Sequence, residues 1–323
     1  MSLPALYALR NRARHAHIAV LARPSIVDLY RRESFADELI PYTAARGPKD
    51  LATKWRVASG LRARQFDTAI LLQNAFEAAA LVWLAGIPRR IGYNRDGRGW
   101  LLSDPVPVPA KGEIPLHERF YYLELLRRAS ILDTLPESEQ IRLSSANVAA
   151  QAGQARFERM GWRDVVGMSP GAAYGGAKRW LPERFADAGA LLGGPVALFG
   201  SNEERALCEG IATVLQRDSV PVYNFAGETS LSEFVDLAAA CRVFVTNDSG
   251  GMHIASALGV PTVAIFGATD HIGTGPTGPL ARVVREPVEC SPCLLRECPI
   301  DHRCMTRVSA AQVAQAAKEL AAS

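Results

Sequence analysis

The sequence lacks three features that would each have assigned it quickly. It has no Asp-x-Asp pair, the motif whose two carboxylates hold a divalent metal against a nucleotide diphosphate. No Gly-x-Gly-x-x-Gly fingerprint follows an early strand, which argues against a plain dinucleotide-dependent oxidoreductase. No apolar stretch runs unbroken for the width of a bilayer. The segment from Ser249 to Thr269 carries no Asp, Glu, Lys or Arg, yet His253, Pro261 and several glycines interrupt it and its period changes midway, so a buried helix and strand are expected there. Charge is also modest. With 48% hydrophobic residues, 21% charged and a net charge of +3, the composition is that of a soluble globular protein, and nucleic acid is not an expected partner. No secretory leader is visible, because Met1-Ser2-Leu3-Pro4 leads into an Arg-rich amphipathic segment; a cytoplasmic location is expected.

What is present is a regular alternation of helix and strand periods. A chain of 323 residues exceeds a typical single core, and two domains are expected. Helices are predicted over 3–14, 49–62, 75–85, 117–131, 148–160, 182–192, 203–216, from Ser230 onward and over 310–320. Strands are predicted at 17–21, 38–41, 68–72, 90–92, 165–169, 196–199 and 222–224. Short connections between such elements imply parallel sheets covered on both faces. The polar segment 138–150 reads as the boundary, giving domains of 1–145 and 146–323 with ligands in a cleft between them, at the carboxyl ends of strands.

The chain is organised around Val243–Phe266, which spells strand, polar corner, small-residue helix, strand. At Asn247-Asp248-Ser249-Gly250-Gly251 the helix would begin with unpaired N–H groups and a positive dipole end, a place for phosphate that two glycines leave accessible. The same residues also fit a plain N-cap at Asp248 or Ser249. Two other strand ends carry loops suited to ligands: Ser169 through Lys178, rich in glycine, and Phe199 through Glu203.

Three motifs in this order, Pro170-Gly-Ala-Ala-Tyr-Gly-Gly-Ala-Lys178-Arg-Trp180, Phe225-Ala-Gly-Glu-Thr-Ser-Leu231 and Asn247-Asp-Ser-Gly-Gly-Met-His253, resemble those of bacterial ADP-heptose:lipopolysaccharide heptosyltransferases, glycosyltransferase family 9. The tail from Cys290 to Met305 is similar to the ending of members of the heptosyltransferase II type, which add the second inner-core heptose. The resemblance implies a GT-B fold with an N-terminal acceptor domain and a C-terminal ADP-heptose domain. It also implies inverting transfer, no cofactor, no divalent metal and a lipid A–Kdo–heptose acceptor at the inner leaflet. By resemblance Lys178 and Asp248 are catalytic, with Lys178 the diphosphate cation and Asp248 on heptose hydroxyls. Ser169, Gly171, Ser249, Gly250, Gly251, Met252 and His253 line the donor, and Glu203 or Glu204 reaches the ribose. Asn74, Arg95 and Arg98 are acceptor contacts, and Arg89, Arg90, Arg95 and Arg98 are candidates for a peripheral membrane contact.

Members of the family begin with a strand and a Gly-Asp loop before the Leu-Pro-Ala-Leu helix, and that Asp is the presumed base. Here the sequence starts at the helix, so the N-terminal sheet is expected to lack its first strand, and transfer by this chain is expected to be weak. A sugar-nucleotide-binding protein without transfer activity is the alternative. Asp67, Glu77 and Asp104 are the remaining acids considered, and each reads as structural.

Six cysteines complete the picture. Cys208 and Cys241 read as packed thiols. Cys290, Cys293, Cys298 and Cys304, with His302 among them, have ligand types suited to zinc or iron–sulfur, but their spacing matches no standard zinc pattern. No metal is expected, reduced packed thiols are preferred, and the cluster is placed in a C-terminal loop rather than in the predicted cleft.

Overall fold

The computed structural model describes residues 1–43, 48–135 and 140–323. Of the expected boundary segment 138–150, Ser138 and Glu139 lie outside the described residues. The chain divides into two compact units, Met1–Glu139 and Gln140–Ser323.

The first unit runs α1 (Leu3–Arg12), β1 (Ala19–Ala22), α2 (Pro24–Tyr30), β2 (Glu38–Pro41), α3 (Pro48–Ala63), β3 (Thr68–Leu71), α4 (Phe76–Leu84), β4 (Arg89–Tyr93), β5 (Asp104–Val106) and α5 (Arg119–Arg128). Its strands are all parallel but form two separate sheets, β1-β2 and β3-β4-β5, rather than the one expected. Helix α3 serves both: Ala58 and Leu61 pack with Leu21 of β1, Ile40 of β2 and Ala69 of β3. Asp104, expected in a proline-rich connector, instead opens β5 opposite Ile91. Pro105 hid that strand, and the strand tolerates it because β5 is an edge. Helix α2 was missed because seven residues give too little periodicity to read.

The second unit runs α6 (Ala146–Arg159), β6 (Val166–Ser169), α7 (Pro182–Leu192), β7 (Val196–Leu198), α8 (Arg205–Arg217), β8 (Val222–Asn224), α9 (Leu231–Ala239), β9 (Val243–Asn247), α10 (Gly250–Ala257), β10 (Thr262–Ile265), α11 (His271–Thr274), β11 (Ala281–Val284), α12 (Arg303–Thr306) and α13 (Ala310–Ala321). Six parallel strands lie in the order β11-β10-β9-β6-β7-β8. Every residue of β6, β7, β9 and β10 is buried, which is why these strands read as continuous apolar runs. Successive side chains alternate between faces. Val243 and Val245 join Phe185, Ile211 and Val313 of α7, α8 and α13 in one core, whereas Phe244 stacks on Phe199 and meets Phe234 of α9 edge-on. Local signals agree with this packing: Pro182 opens α7, and Ser230 with Glu233 forms the capping box at the start of α9.

Helices α6 and α9 touch at Gly153, where an added Cβ would lie 2.0 Å from the Asp236 carbonyl oxygen. Gly153→Ala should therefore destabilise the unit by about 1–3 kcal/mol, outweighing the helix propensity alanine gains. Denaturant unfolding of the variant tests this, and unchanged stability would mean the two helices separate freely.

The strand order also locates the ligand crevice. From β6 the chain steps outward through β7 and β8, then crosses back to lay β9 along the other flank of β6. Connections leaving β6 and β9 therefore diverge to opposite sides, and the gap at their carboxyl ends is the switch point where open parallel sheets bind ligands.

Candidate functional site

Asn247, the last residue of β9, is fully buried and ties the two loops of the switch point together. Its Oδ1 accepts from Trp180 N at 3.0 Å and its Nδ2 donates to Pro170 O at 2.7 Å. Trp180 is in turn fixed by its indole N–H, which donates to Val308 O at 3.0 Å. The loop after β6 is thus pinned at both ends, and Lys178 sits on the arch between.

The Lys178 ammonium lies 2.5 Å from Asp248 Oδ2, which also accepts from Thr269 Oγ1 at 2.5 Å. The Tyr174 ring lies beneath the ammonium, 4.8 Å to its centroid. Side-chain exposure of 14% for Lys178 and 6% for Asp248 places this pair near the site's surface without leaving it solvated. A cation held on an aromatic face and a carboxylate keeps one position before any ligand arrives.

Beside it, α10 begins without a capping side chain. Ser249 occupies the N-cap position in extended conformation and makes no cap hydrogen bond; its hydroxyl lies 3.3 Å from Thr246 Oγ1, while Asp248 is engaged by Lys178 and Thr269. The plain N-cap reading therefore fails, and the first N–H groups of the helix remain available to an anion. A Cβ on Gly250 would meet nothing within 4 Å, so the approach is open, whereas Gly251 backs onto Ser169 Oγ. Met252 is buried with Ala264 and Phe266, leaving its backbone N–H as its contribution. His253 follows on the first turn, half-buried.

At the end of β7, Glu204 Oε2 accepts from Ser201 N at 2.8 Å, and its carboxyl fills the space a Cβ on Gly171 would need, 1.9 Å away. Gly171 and Glu204 are thus in direct contact. Glu203 is exposed, its carboxyl held below the ordinary value by its own backbone N–H and then by Ser201.

The four clustered cysteines lie in a C-terminal loop that packs against the arch carrying Lys178. Cys290, Cys293, Cys298 and Cys304 line one small cavity together with Ala177, the residue before Lys178, and with His302. Sequence distance concealed this, because the loop that follows β11 and the loop after β6 converge only in the folded chain. Among the described residues no group of three or more His, Cys, Asp or Glu is disposed to hold a metal ion. Burial, followed by the neighbouring Cys290, Cys298 and Cys293, pushes the Cys304 thiol up, and burial pushes Cys208 up to about 12. At pH 8 these two thiols should resist iodoacetamide while the exposed Cys290 reacts first, as peptide mapping by mass spectrometry will show.

In the first unit, Asn74 Nδ2 donates to Tyr121 Oη at 2.9 Å and its Oδ1 accepts from Arg98 at 3.1 Å. Arg95 also hydrogen-bonds Tyr121, which raises the guanidinium pKa. The three residues Asn74, Arg95 and Arg98 therefore meet around Tyr121 at the carboxyl ends of β3 and β4. Their exposure differs sharply: Arg98 is fully buried and donates to the carbonyls of Tyr93, Gln73 and Ala75, so it shapes the turn, whereas Arg95 is open to solvent. Arg89 pairs with Asp104, and Arg90 donates to Leu101 and Ile87 carbonyls.

Sequence reasoning missed Thr269, Tyr174 as a cation platform, and Tyr121. Thr269 had a signal, since it ends the charge-free run just past a strand; Tyr121 lies inside a helix and had none.

The sequence profile described as glycosyltransferase family 9 (heptosyltransferase) matches residues 54–303. Over 294 residues the chain is 34% identical to lipopolysaccharide heptosyltransferase 2 of Escherichia coli (strain K12), spanning 88% of this chain and 84% of that one. It is 31% identical over 284 residues to lipooligosaccharide heptosyltransferase 2 of Haemophilus influenzae, spanning 84% and 80%. The solved E. coli ADP-heptose lps heptosyltransferase II superposes with a TM-score of 0.80 at 29% identity, over 99% and 94% of the two chains. E. coli heptosyltransferase WaaC with ADP shares the fold, with a TM-score of 0.76 at 18% identity over 99% and 95%.

Proposed function

Because the chain belongs to glycosyltransferase family 9, we propose that it is a GT-B enzyme that moves heptose from ADP-L-glycero-D-manno-heptose to the first heptose of the lipopolysaccharide inner core. The observation that supports this reading best is the uncapped start of α10 beside a preformed Lys178–Asp248 pair at the switch point of the second unit.

In this reading the second unit binds the donor. The β-phosphate sits on the N–H groups of Gly250, Gly251 and Met252, with Ser169, Ser249 and His253 around it, and Lys178 lies against the diphosphate. As the bond between heptose C1 and the phosphate oxygen breaks, negative charge gathers on the departing ADP. Groups already fixed in place stabilise that charge without reorganising. Asp248 Oδ1 receives heptose hydroxyls, and Glu203 or Glu204, across from Gly171, reaches toward the ribose. Fixed protein groups then take the role a divalent ion fills elsewhere. The first unit supplies the acceptor contacts through Asn74 and Arg95, with Arg98 holding their turn. The acceptor is a membrane lipid, so a peripheral contact with an anionic leaflet follows. Among the described residues no helix is long and apolar enough to cross a membrane.

Calorimetry with ADP, ADP-heptose and NAD, followed by transfer to a truncated acceptor, tests this. ADP-heptose should bind most tightly and NAD not at all; binding of NAD in preference would sink the reading.

A further inference from the structure

The Lys178 arch makes several contacts with a segment more than a hundred residues away. Tyr174 Oη donates to Leu294 O at 2.8 Å, Gly176 N to Glu297 Oε1 at 2.9 Å, and Ala177 N to Arg296 O at 2.9 Å. His302 Nε2 lies 3.0 Å from Ala177 O, the carbonyl that immediately precedes Lys178. The Tyr174 ring, on which the ammonium rests, is covered by the Arg296 guanidinium at 5.3 Å. Gly175 is required by the same closeness: at φ +155° its missing Cβ would lie 2.2 Å from Arg296 O.

The partner segment is itself anchored to the sheet. Leu294 N donates to Ala268 O at 2.7 Å and Ser291 Oγ to Gly267 O at 2.6 Å, just past β10. Leu294 and His302, two of the residues that touch the arch, are both held at positive φ, +58° and +55°. Side chains adopt that region only where the surroundings demand it, and such residues collect where a fold fixes a functional geometry. Neither Lys178 nor the motif around it explains why a cysteine-rich loop should be shaped in this way.

We propose that the 290–304 loop is a positioning element for the donor cation, with Tyr174 and His302 as positioning residues that set where the Lys178 ammonium stands. The proposal rests on the reading of Lys178 as the group that meets the ADP diphosphate. His302 fixes the backbone before Lys178 through the Ala177 carbonyl; Tyr174 fixes the ammonium through its ring and is itself fixed by its hydroxyl on Leu294. The loop stabilises the departing ADP through Lys178 and touches no substrate.

The test compares His302→Leu with His302→Gln, two side chains unbranched at Cβ that bear a similar penalty at positive φ, so that their difference reports the hydrogen bond to Ala177. His302→Leu should lower kcat at saturating ADP-heptose about tenfold with the acceptor KM unchanged, and His302→Gln, which restores a donor, should recover to within about threefold of wild type. Tyr174→Phe, which keeps the ring, should lose less than Tyr174→Leu. A loop that only stabilises the fold would change the melting temperature and leave kcat alone. The decisive measurement is His302→Leu in a Lys178→Ala background, where no further loss is expected because the lever acts through Lys178. Multiplicative losses in the double variant would overturn the proposal, as would a silent His302→Leu beside a damaging Lys178→Ala. A silent Lys178→Ala would instead remove the reading on which the proposal stands.

Discussion

Lys178→Ala is expected to lower turnover at saturating donor by a hundredfold or more. Removal of one preorganised group that meets developing charge typically raises the barrier by about 3–4 kcal/mol, and each 1.36 kcal/mol is a factor of ten. The structure adds a reason to place the loss in turnover more than in folding. Lys178 keeps partial solvent access and its partner Asp248 retains the Thr269 hydroxyl, so the stability loss should stay below the roughly 3–5 kcal/mol of a fully buried pair broken on one side. Transfer kinetics alongside thermal unfolding separates the two. Unchanged turnover in a folded variant would remove Lys178 from the mechanism, and parallel collapse of both would assign it to structure alone.

How far such a site can be read from sequence depends on how its parts are encoded. The switch-point strands were legible because β6, β7, β9 and β10 are buried on both faces and so appear as apolar runs bounded by glycine or polar corners. The capping box at Ser230 and the proline at the start of α7 depend on neighbours a few residues away, and they were legible for that reason. Elements that were not legible had weak or contradictory local signals: β5 contains a proline, α2 is short, and α11 and α12 have four residues each.

The same distinction applies within the site. Lys178, Asp248 and Gly250 belong to contiguous motifs and could be nominated as such. That Asp248 is held by Thr269, that Glu204 fills the space facing Gly171, and that the cysteine loop braces the Lys178 arch are consequences of which strands lie side by side. No spacing along the chain encodes those contacts. The split of the first unit into two sheets has the same origin, since the strands expected at 17–21, 38–41, 68–72 and 90–92 are present while nothing along the chain encodes which of them pair.

Asn247→Ala should have the other large effect, and of the opposite kind. Asn247 was readable only as one letter of a polar corner, yet it is fully buried and satisfies two buried backbone groups at once, Trp180 N and Pro170 O. Alanine strands both. Each unpaired buried group costs about 1–3 kcal/mol, so a loss of roughly 2–6 kcal/mol is expected, a large part of a domain's total stability. Asp is no rescue: it can accept from Trp180 N but cannot donate to Pro170 O, and it buries a charge beside a carbonyl. Denaturant unfolding should therefore rank wild type above Asn247→Ala and Asn247→Asp. ADP affinity should fall in the fraction of Asn247→Ala that remains folded, because the Lys178 arch loses one hydrogen bond at each of its ends. Wild-type stability in Asn247→Ala would mean that water replaces both hydrogen bonds, and that the two loops of the switch point are held together by something other than this side chain.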